Sequence, residues 1–428
     1  MKQLALQVTT LSPLSIRSDH SPTGADVAPY IPGSTLMGCL ASAHRLLRGD
    51  QETQFVEFFL SDKVRYPNLY PASFKNSRMQ EAFSPLYCIP RTAQTCKRFG
   101  GFLPLRDDDR DDDDERHGVR DSLFDWAIFA LLDKAEQSTT DEERGQIISS
   151  LQESHSRFCT CCEPLDSFDG FYRWEDGDCA IATPKTRLIT RTGINRKYGI
   201  VEEKILYNRE VYEEENSFFG VIQAEDDVAK DLQDFIWNKG SEENILLLLT
   251  EFARLGTART RGFGRIEFQM MSVEDVQDRF EAFEERLRLF DKALRDRAKA
   301  FEHPLFYIAL TLHAPTILYD ELLRYEGIIS GERLAALAGL SENPFELLYH
   351  SASVRRMMNW QELWGLPRKH EYALDAGSVF LFAVTRPLDD TLAHALFTLE
   401  EQGIGQRRAE GFGRICISDP FHREGNLR

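Results

Sequence analysis

Arginines set among glycines recur in this chain, once in GTARTRGFGRI from Gly256 to Ile266 and again in GIGQRRAEGFGRI, whose matching part runs from Gly405 to Ile415. Both copies read G-x-x-R-x-x-G-F-G-R-I. Glycine tolerates the positive φ of tight turns and lets backbone approach a ligand closely, so Gly256, Gly262, Gly264, Gly405, Gly411 and Gly413 mark two such turns. Arg259, Arg261, Arg265, Arg407, Arg408 and Arg414 carry planar forks of donors that match phosphate oxygens. The chemistry suits a phosphate-rich polymer. One copy alone would serve equally as a structural turn, with Arg265 and Arg414 in surface ion pairs and Phe263 and Phe412 in a core. Repetition favours binding, because two equivalent loops would line a continuous track.

A third cationic segment, TPKTRLITRTGINRKYG, supplies Lys185, Arg187, Arg191, Arg196 and Lys197. Phosphate contacts by such residues fix position, while Tyr198, Phe263 and Phe412 offer rings on which unpaired bases stack. A separate chemistry is carried by thiols. Cys159 and Cys162 form a C-x-x-C pair, whose spacing lets two thiolates reach one tetrahedral zinc. The other half of the site comes from Cys96 and His117, or from Cys88 and Cys96, with Cys161 as a substitute in the CTCC run. The set Cys96, His117, Cys159 and Cys162 is preferred because the metal then closes the acidic segment into a loop. Four protein ligands leave no open position for water, so the zinc would be structural. Cys39 and Cys416 sit in apolar contexts and read as core; Cys179 has no assignment.

These residues need elements to hold them. Each glycine motif follows an apolar, helix-like stretch (NILLLLTEFARL and LAHALFTLEEQ) and leads into a strand-like one (RIEFQM and RICIS). Leu4, Leu6 and Val8 open the first half with period-two alternation, and Ile308, Leu310 and Leu312 open the second. The fold class is therefore α+β, with two split β-α-β ferredoxin-like domains. They span 1–270, with an insertion at about 96–165, and 303–428. Between them, at 271–302, Val276, Phe280, Phe283, Leu287, Phe290 and Leu294 form one stripe on a long amphipathic helix that braces the domains. With 428 residues, 42% of them hydrophobic, two or three ordinary cores are affordable. No leader-like apolar run and no span-length segment is visible, and the eight cysteines read as reduced, so a cytoplasmic protein is expected. The net charge of -18 argues against indiscriminate binding to polyanions, although eight of the acidic residues lie between Asp107 and Glu115 in a run that reads as a solvated loop.

At this level of detail the chain resembles the RAMP proteins of CRISPR-Cas systems, whose hallmark is a glycine-rich loop ahead of the last strand of a ferredoxin-like domain. APYIPGSTLMGCLASAHR, from Ala28 to Arg45, resembles the first-helix motif of that family. There Ser34 and Thr35 are N-cap candidates for a helix starting near Leu36, and its end offers an anion site. TRTGINRKYGIVEEKILYNREVYEEENSFFGVI resembles the family's long β-hairpin, and WQELWGLPRKHEYALDAGSVFLF resembles the segment before the second loop in Cas-five-like members. CIPRTAQTCKRFGGF, HGVRD and CTCCEPLDSFDGFY are similar to the zinc-containing insertion of the Csx-ten family, the large subunit of type III-D effector complexes. The resemblance implies a non-catalytic, crRNA-binding subunit of an antiviral ribonucleoprotein complex. Such a subunit holds the repeat-derived 5′ handle, caps one end, and contacts the large polymerase-like subunit and the backbone RAMP subunits.

Two other readings stand beside it. Some members of the family are metal-independent endoribonucleases, and His20, with Asp19 beside it, is the histidine best placed for such a role; His313 reads as a hydrogen-bonded strand residue. The acidic balance also fits a protein-only assembly scaffold, which explains less well why arginines recur inside glycine turns.

Overall fold

The computed structural model describes all residues except 18–25, 74–85, 104–115, 135–144, 146–158, 160, 162, 176–177, 196–199, 237–248, 250, 272–275, 299–304, 359, 362–365, 424–425 and 428, together with some side chains beside these segments. In the first half the strand Lys2–Thr10 pairs antiparallel with Ile266–Met271 on one side and Ser217–Ala224 on the other. The short strands Val64–Arg65 and Tyr70–Pro71 lie beyond Ser217–Ala224. Taken with the helices Gly33–Leu47 and Asp226–Ile236, the chain runs strand, helix, strand, strand, helix, strand, and the sheet order is fourth, first, third, second. Alternation in the first strand decides which face meets the helices. Leu4, Leu6 and Val8 join Phe218 and Ile222 in the core under the helices, whereas Ala5 and Phe219 face the other way.

The second half repeats that order. Phe306–Leu312 lies between Ile415–Ile417 and Val379–Val384, with Phe345–Ser351 outermost, and the helices are Gly331–Leu337 and Asp390–Gln402. All seven residues of Phe306–Leu312 are buried, a sign of a strand covered on both faces. One face carries Ile308, Leu310, Phe380 and Phe382 beneath the two helices. The opposite face carries Tyr307, Ala309 and Leu381, and its cover is the helix Leu123–Lys134, supplied by the first half of the chain. Trp126 of that helix stacks flat on Tyr349, with ring centroids 5.6 Å apart. The long helix Val276–Arg297 serves both layers, Phe283 and Leu287 entering one core and Phe290 and Leu294 the other. Its apolar stripe thus packs on the second half and also on Leu123–Lys134, where Phe290 meets Phe124 with ring centroids 5.5 Å apart.

Between residues 87 and 181 the chain forms two small antiparallel sheets, one of Ala93–Cys96, Val119–Asp121 and Leu165–Ser167 closed by Asn426–Leu427, the other of Tyr87–Cys88, Phe171–Glu175 and Asp178–Ile181. Buried polar groups tie these sheets to the second half. The Cys88 amide donates to His313 Nδ1 (3.0 Å), so Nε2 carries the hydrogen that reaches Asp419 Oδ2 at 2.7 Å. Asp419 Oδ1 accepts from the Tyr172 hydroxyl and the Phe421 amide, both at 2.9 Å. His422 Nδ1 meets Asp121 Oδ2 at 2.7 Å while its Nε2 meets the Thr311 hydroxyl at 2.8 Å. Asp125, fully buried, is held by Arg120 and, at 2.9 Å, by Arg297.

Burial alone would raise the Asp419 carboxyl, but the hydrogen bond from His313, the charge of the nearby His422 and the Phe421 amide hold it at about 2. Burial alone would lower His422, and Asp121 reverses that, so its value lies above the ordinary one. The Asp419 contribution is present above the unfolded carboxyl value near 4 and disappears as pH falls through about 2; the His422 contribution is complete below about 6.5 and is lost once pH passes its raised value. Asp419→Asn is therefore expected to cost about 2 kcal/mol at neutral pH and to flatten the loss of stability between pH 4 and 2. Urea denaturation across that range measures both.

Candidate nucleic-acid interface and metal cluster

The two glycine motifs fold into the same backbone. Left-handed residues fall at Gly256, Ala258, Gly262 and Gly264 in one, and at Gly405, Arg407, Gly411 and Gly413 in the other. A single 3-10 turn, Arg259–Arg261 or Arg408–Glu410, lies between them. The ties to the fold also match. Leu255 N reaches Gly264 O, and Ile404 N reaches Gly413 O; Gly264 N bonds Pro13 O, and Gly413 N bonds Pro315 O. These glycines answer to the protein itself rather than to a ligand. A Cβ at Gly264 would collide with the Leu255 carbonyl, at Gly413 with that of Ile404, at Gly256 with that of Ser15 and at Gly405 with that of Ile317. Gly262 alone of the six has open space.

Identical backbones have different surroundings. The first loop faces solvent, with Arg259, Arg261 and Arg265 exposed. The hairpin Thr186–Asn195 with Ile200–Tyr212 packs beside it, its Arg191 guanidinium 4.8 Å from the Phe263 ring centroid and its Arg209 reaching the Thr257 hydroxyl at 3.4 Å. Lys185 and Arg187 at the base of the hairpin are exposed too, Arg187 pairing Glu214 at 3.0 Å. Phe263 itself is buried and takes the core role. Arg196, Lys197 and Tyr198 lie outside the described residues.

The second loop docks on the first half. Tyr66 N donates to Ala409 O at 3.2 Å, and the Asn68 amide donates to Gly411 O at 2.9 Å. Arg407 pairs with Glu371 at 2.5 Å and Glu410 at 2.7 Å, with its guanidinium over Phe412, so its fork, unlike those of the first loop, meets carboxylates of the second half. Arg368 adds a second cation to Glu410. The start of the first helix differs from expectation as well. It begins at Gly33 with Pro32 as N-cap and no side-chain cap, which places Ser34 and Thr35 inside the first turn. Pro32 supplies the fixed φ that favours a helix start, and Gly33 is needed because a Cβ would strike the Tyr66 and Glu410 carbonyls. The Gly33 amide is taken by Asn68 Oδ1 at 2.9 Å, so one donor of this helix end is already satisfied by the protein.

Behind the docked loop, between the two sheets, lies a cleft of about 360 Å³ lined by Arg65, Arg279, Arg286, Arg408 and Arg414 together with Glu400 and Glu401. Sequence reasoning reached Arg408 and Arg414 through the motif. It missed Arg65, Asn68, Arg279 and Arg286, which carry no local pattern; only the fold brings them together.

Among the thiols, Cys96, His117, Cys159 and Cys161 bring one ligand atom each within 4.8 Å of one another. Cys96 Sγ and Cys161 Sγ are 3.7 Å apart, close to the ~3.8 Å edge of a tetrahedron with zinc–sulfur arms of ~2.3 Å. His117 Nδ1 lies 3.1 Å from Cys159 Sγ, and the Phe99 amide points at Cys96 Sγ. The cluster can hold a metal ion. Cys161, the substitute in the CTCC run, is the fourth member of this group among the described residues, and Cys162 lies outside them. Cys88 is elsewhere, buried beside His313, its thiol pushed up to about 12 by burial. Cys39 is likewise pushed to about 12 by burial, with Arg254 and Arg259 opposing. Cys416 is buried, as its apolar context implied. His20 and Asp19 lie outside the described residues, and His313 is occupied on both ring nitrogens.

A family profile described as RAMPs, the RAMP superfamily, matches residues 7–267. No curated protein sequence matches the chain. Structural comparison pairs it with a chain of the type III-B Cmr-beta complex bound to cognate target RNA and AMPPnP, at 12% identity and TM-score 0.35, covering 88% of this chain and 86% of that one. Chains of Cmr-beta bound to cognate target RNA and of its apo state give 12% and 13% identity, each at TM-score 0.29 with 63% of this chain and 97% of the other covered. Superpositions this loose add nothing to the profile match.

The two loops make one contrast measurable. Gly262→Ala meets only the left-handed backbone and should cost about 1 kcal/mol, whereas Gly413→Ala also drives a methyl into a carbonyl and should cost at least twice that. Thermal melts of the two variants give the comparison.

Proposed function

The chain belongs to the RAMP superfamily, and we propose that it is a non-catalytic, guide-RNA-binding subunit of a type III CRISPR effector complex. The observation that carries this reading is the solvent-facing first glycine loop, which presents Arg259, Arg261 and Arg265 beside a hairpin bearing Lys185, Arg187 and Arg191. These residues stand on a rigid turn whose glycines are fixed by the fold, so their forks are pre-positioned for a phosphate backbone. The strand and helix order of each half supports two ferredoxin-like domains. The likeness in CIPRTAQTCKRFGGF and CTCCEPLDSFDGFY supports the Csx-ten reading, a subunit that holds the 5′ handle of the crRNA, caps one end of the complex and touches the polymerase-like subunit.

The metal cluster fits structural zinc. Cys96, Cys159 and Cys161 would supply thiolates and His117 an imidazole, and the bound ion would fix the ends of the strands Ala93–Cys96 and Leu165–Ser167.

Arg259→Ala and Arg261→Ala in the full chain should each weaken guide-RNA binding ~5- to 10-fold and reduce the slope of log affinity against log salt by about one. Unchanged affinity and slope, with wild-type binding intact, would move the RNA contact elsewhere. Cys96→Ser should release about one zinc per chain and lower the melting temperature by several degrees. Metal analysis combined with a melt reads this, and a protein purified without zinc and equally stable would remove the ion from the account.

A further inference from the structure

We propose that Arg65, from the first half, and Arg408, from the second half's glycine loop, form a two-armed seat for one phosphate group of the guide-RNA backbone at the mouth of the inter-domain cleft. This rests on the guide-RNA reading above and adds to it a site that exists only when the two halves are docked.

Both guanidiniums point at one oxygen. Arg65 Nη1 donates to the Gln402 carbonyl at 2.8 Å, and Arg408 Nη1 approaches the same carbonyl at 3.4 Å. Gln402 ends the helix Asp390–Gln402, so its carbonyl is one of the acceptors a helix leaves without an intrahelical donor. One shared neutral acceptor does little to offset two like charges so near each other. Arg65 accordingly sits below its ordinary value, first through burial and then through the charge of Arg408. Among the described residues no carboxylate lies within 4 Å of either guanidinium. Each fork keeps donors beyond the one used on Gln402, and a phosphate between them would accept from both while cancelling their repulsion.

The charge behind the seat points the same way. Five arginines and two glutamates line the cleft, an excess of three positive charges in a chain whose net charge is -18. Both glutamates are already taken, Glu401 by Arg279 at 2.5 Å and Glu400 by Arg286 at 2.6 Å. Arg65, Arg408 and Arg414 pair with no carboxylate among the described residues. The volume of about 360 Å³ lies within the range of small-ligand sites, so a nucleotide entering behind its phosphate is accommodated. Arg408 therefore acts with a residue 343 positions away rather than as one of a run of motif arginines.

The test uses the full chain, a guide RNA with its repeat-derived 5′ end, and the variants Arg65→Gln, Arg408→Gln and the double. Wild-type binding is measured against salt, and each single variant is expected to lose about one unit of salt slope, with the double losing little more because both arms hold one phosphate. Wild-type binding with unchanged slopes in all three variants would overturn the seat while leaving RNA binding in place. Melting with added inorganic phosphate forms the second arm. If the wild type binds no guide RNA, the RNA reading falls. The seat then stands as an anion site only if phosphate raises the wild-type melting temperature and leaves that of Arg65→Gln unchanged; no rise in the wild type overturns it as well.

Discussion

One buried amide side chain sets the relation between the two halves. Asn68 accepts from Gly33 N with its oxygen and donates to Gly411 O with its nitrogen, so a single residue joins the start of the first helix to the second glycine loop. Left without either partner, a buried amide group costs more than its hydrogen bond returns, and this makes the arrangement all-or-none. The docked loop, the closing of the first helix end, the cleft behind it and the approach of Arg408 to Arg65 all follow from that join.

The insertion gives the arrangement its second anchor. Its helix Leu123–Lys134 covers the back of the second sheet, and its small strands carry Asp121, Cys88 and Tyr172 to His422, His313 and Asp419. A segment belonging by sequence to the first half thus completes the core of the second. The metal cluster lies at the ends of the same strands, since Cys96 closes Ala93–Cys96 and His117 lies two residues before the start of Val119–Asp121. A metal ion held there would be coupled through that sheet to the packing of this segment on the second half.

Much of this was legible in the residues. Alternation at Leu4, Leu6 and Val8, the stripe from Phe283 to Leu294 and the repeated glycine motif each express a local period or a local backbone need, and local needs are written locally. The fate of each arginine was not. Arg261 and Arg407 stand in equivalent turns, yet Arg407 is consumed by Glu371 and Glu410, and nothing near it in sequence announces Glu371. The same holds for Arg65, which gains its meaning from Gln402 and Arg408. In the CTCC run, spacing rules alone do not resolve which neighbouring cysteine could reach Cys96, and the fold brings Cys161 to it. Ser34 and Thr35 are good caps by type, but Asn68 and the docked loop occupy that helix end.

The central claim is that a guide RNA runs over the first glycine loop and into the seam between the halves. The most direct measurement is crosslinking within the complex assembled from its neighbouring genes and a CRISPR array, with the crosslinked peptides and nucleotides both identified. The account predicts crosslinks in peptides containing Arg259 to Arg265 and Tyr66 to Tyr70, concentrated on the repeat-derived 5′ end of the RNA. Assembly of the same complex with crosslinks absent from both peptides would contradict it and leave the chain a protein-only scaffold.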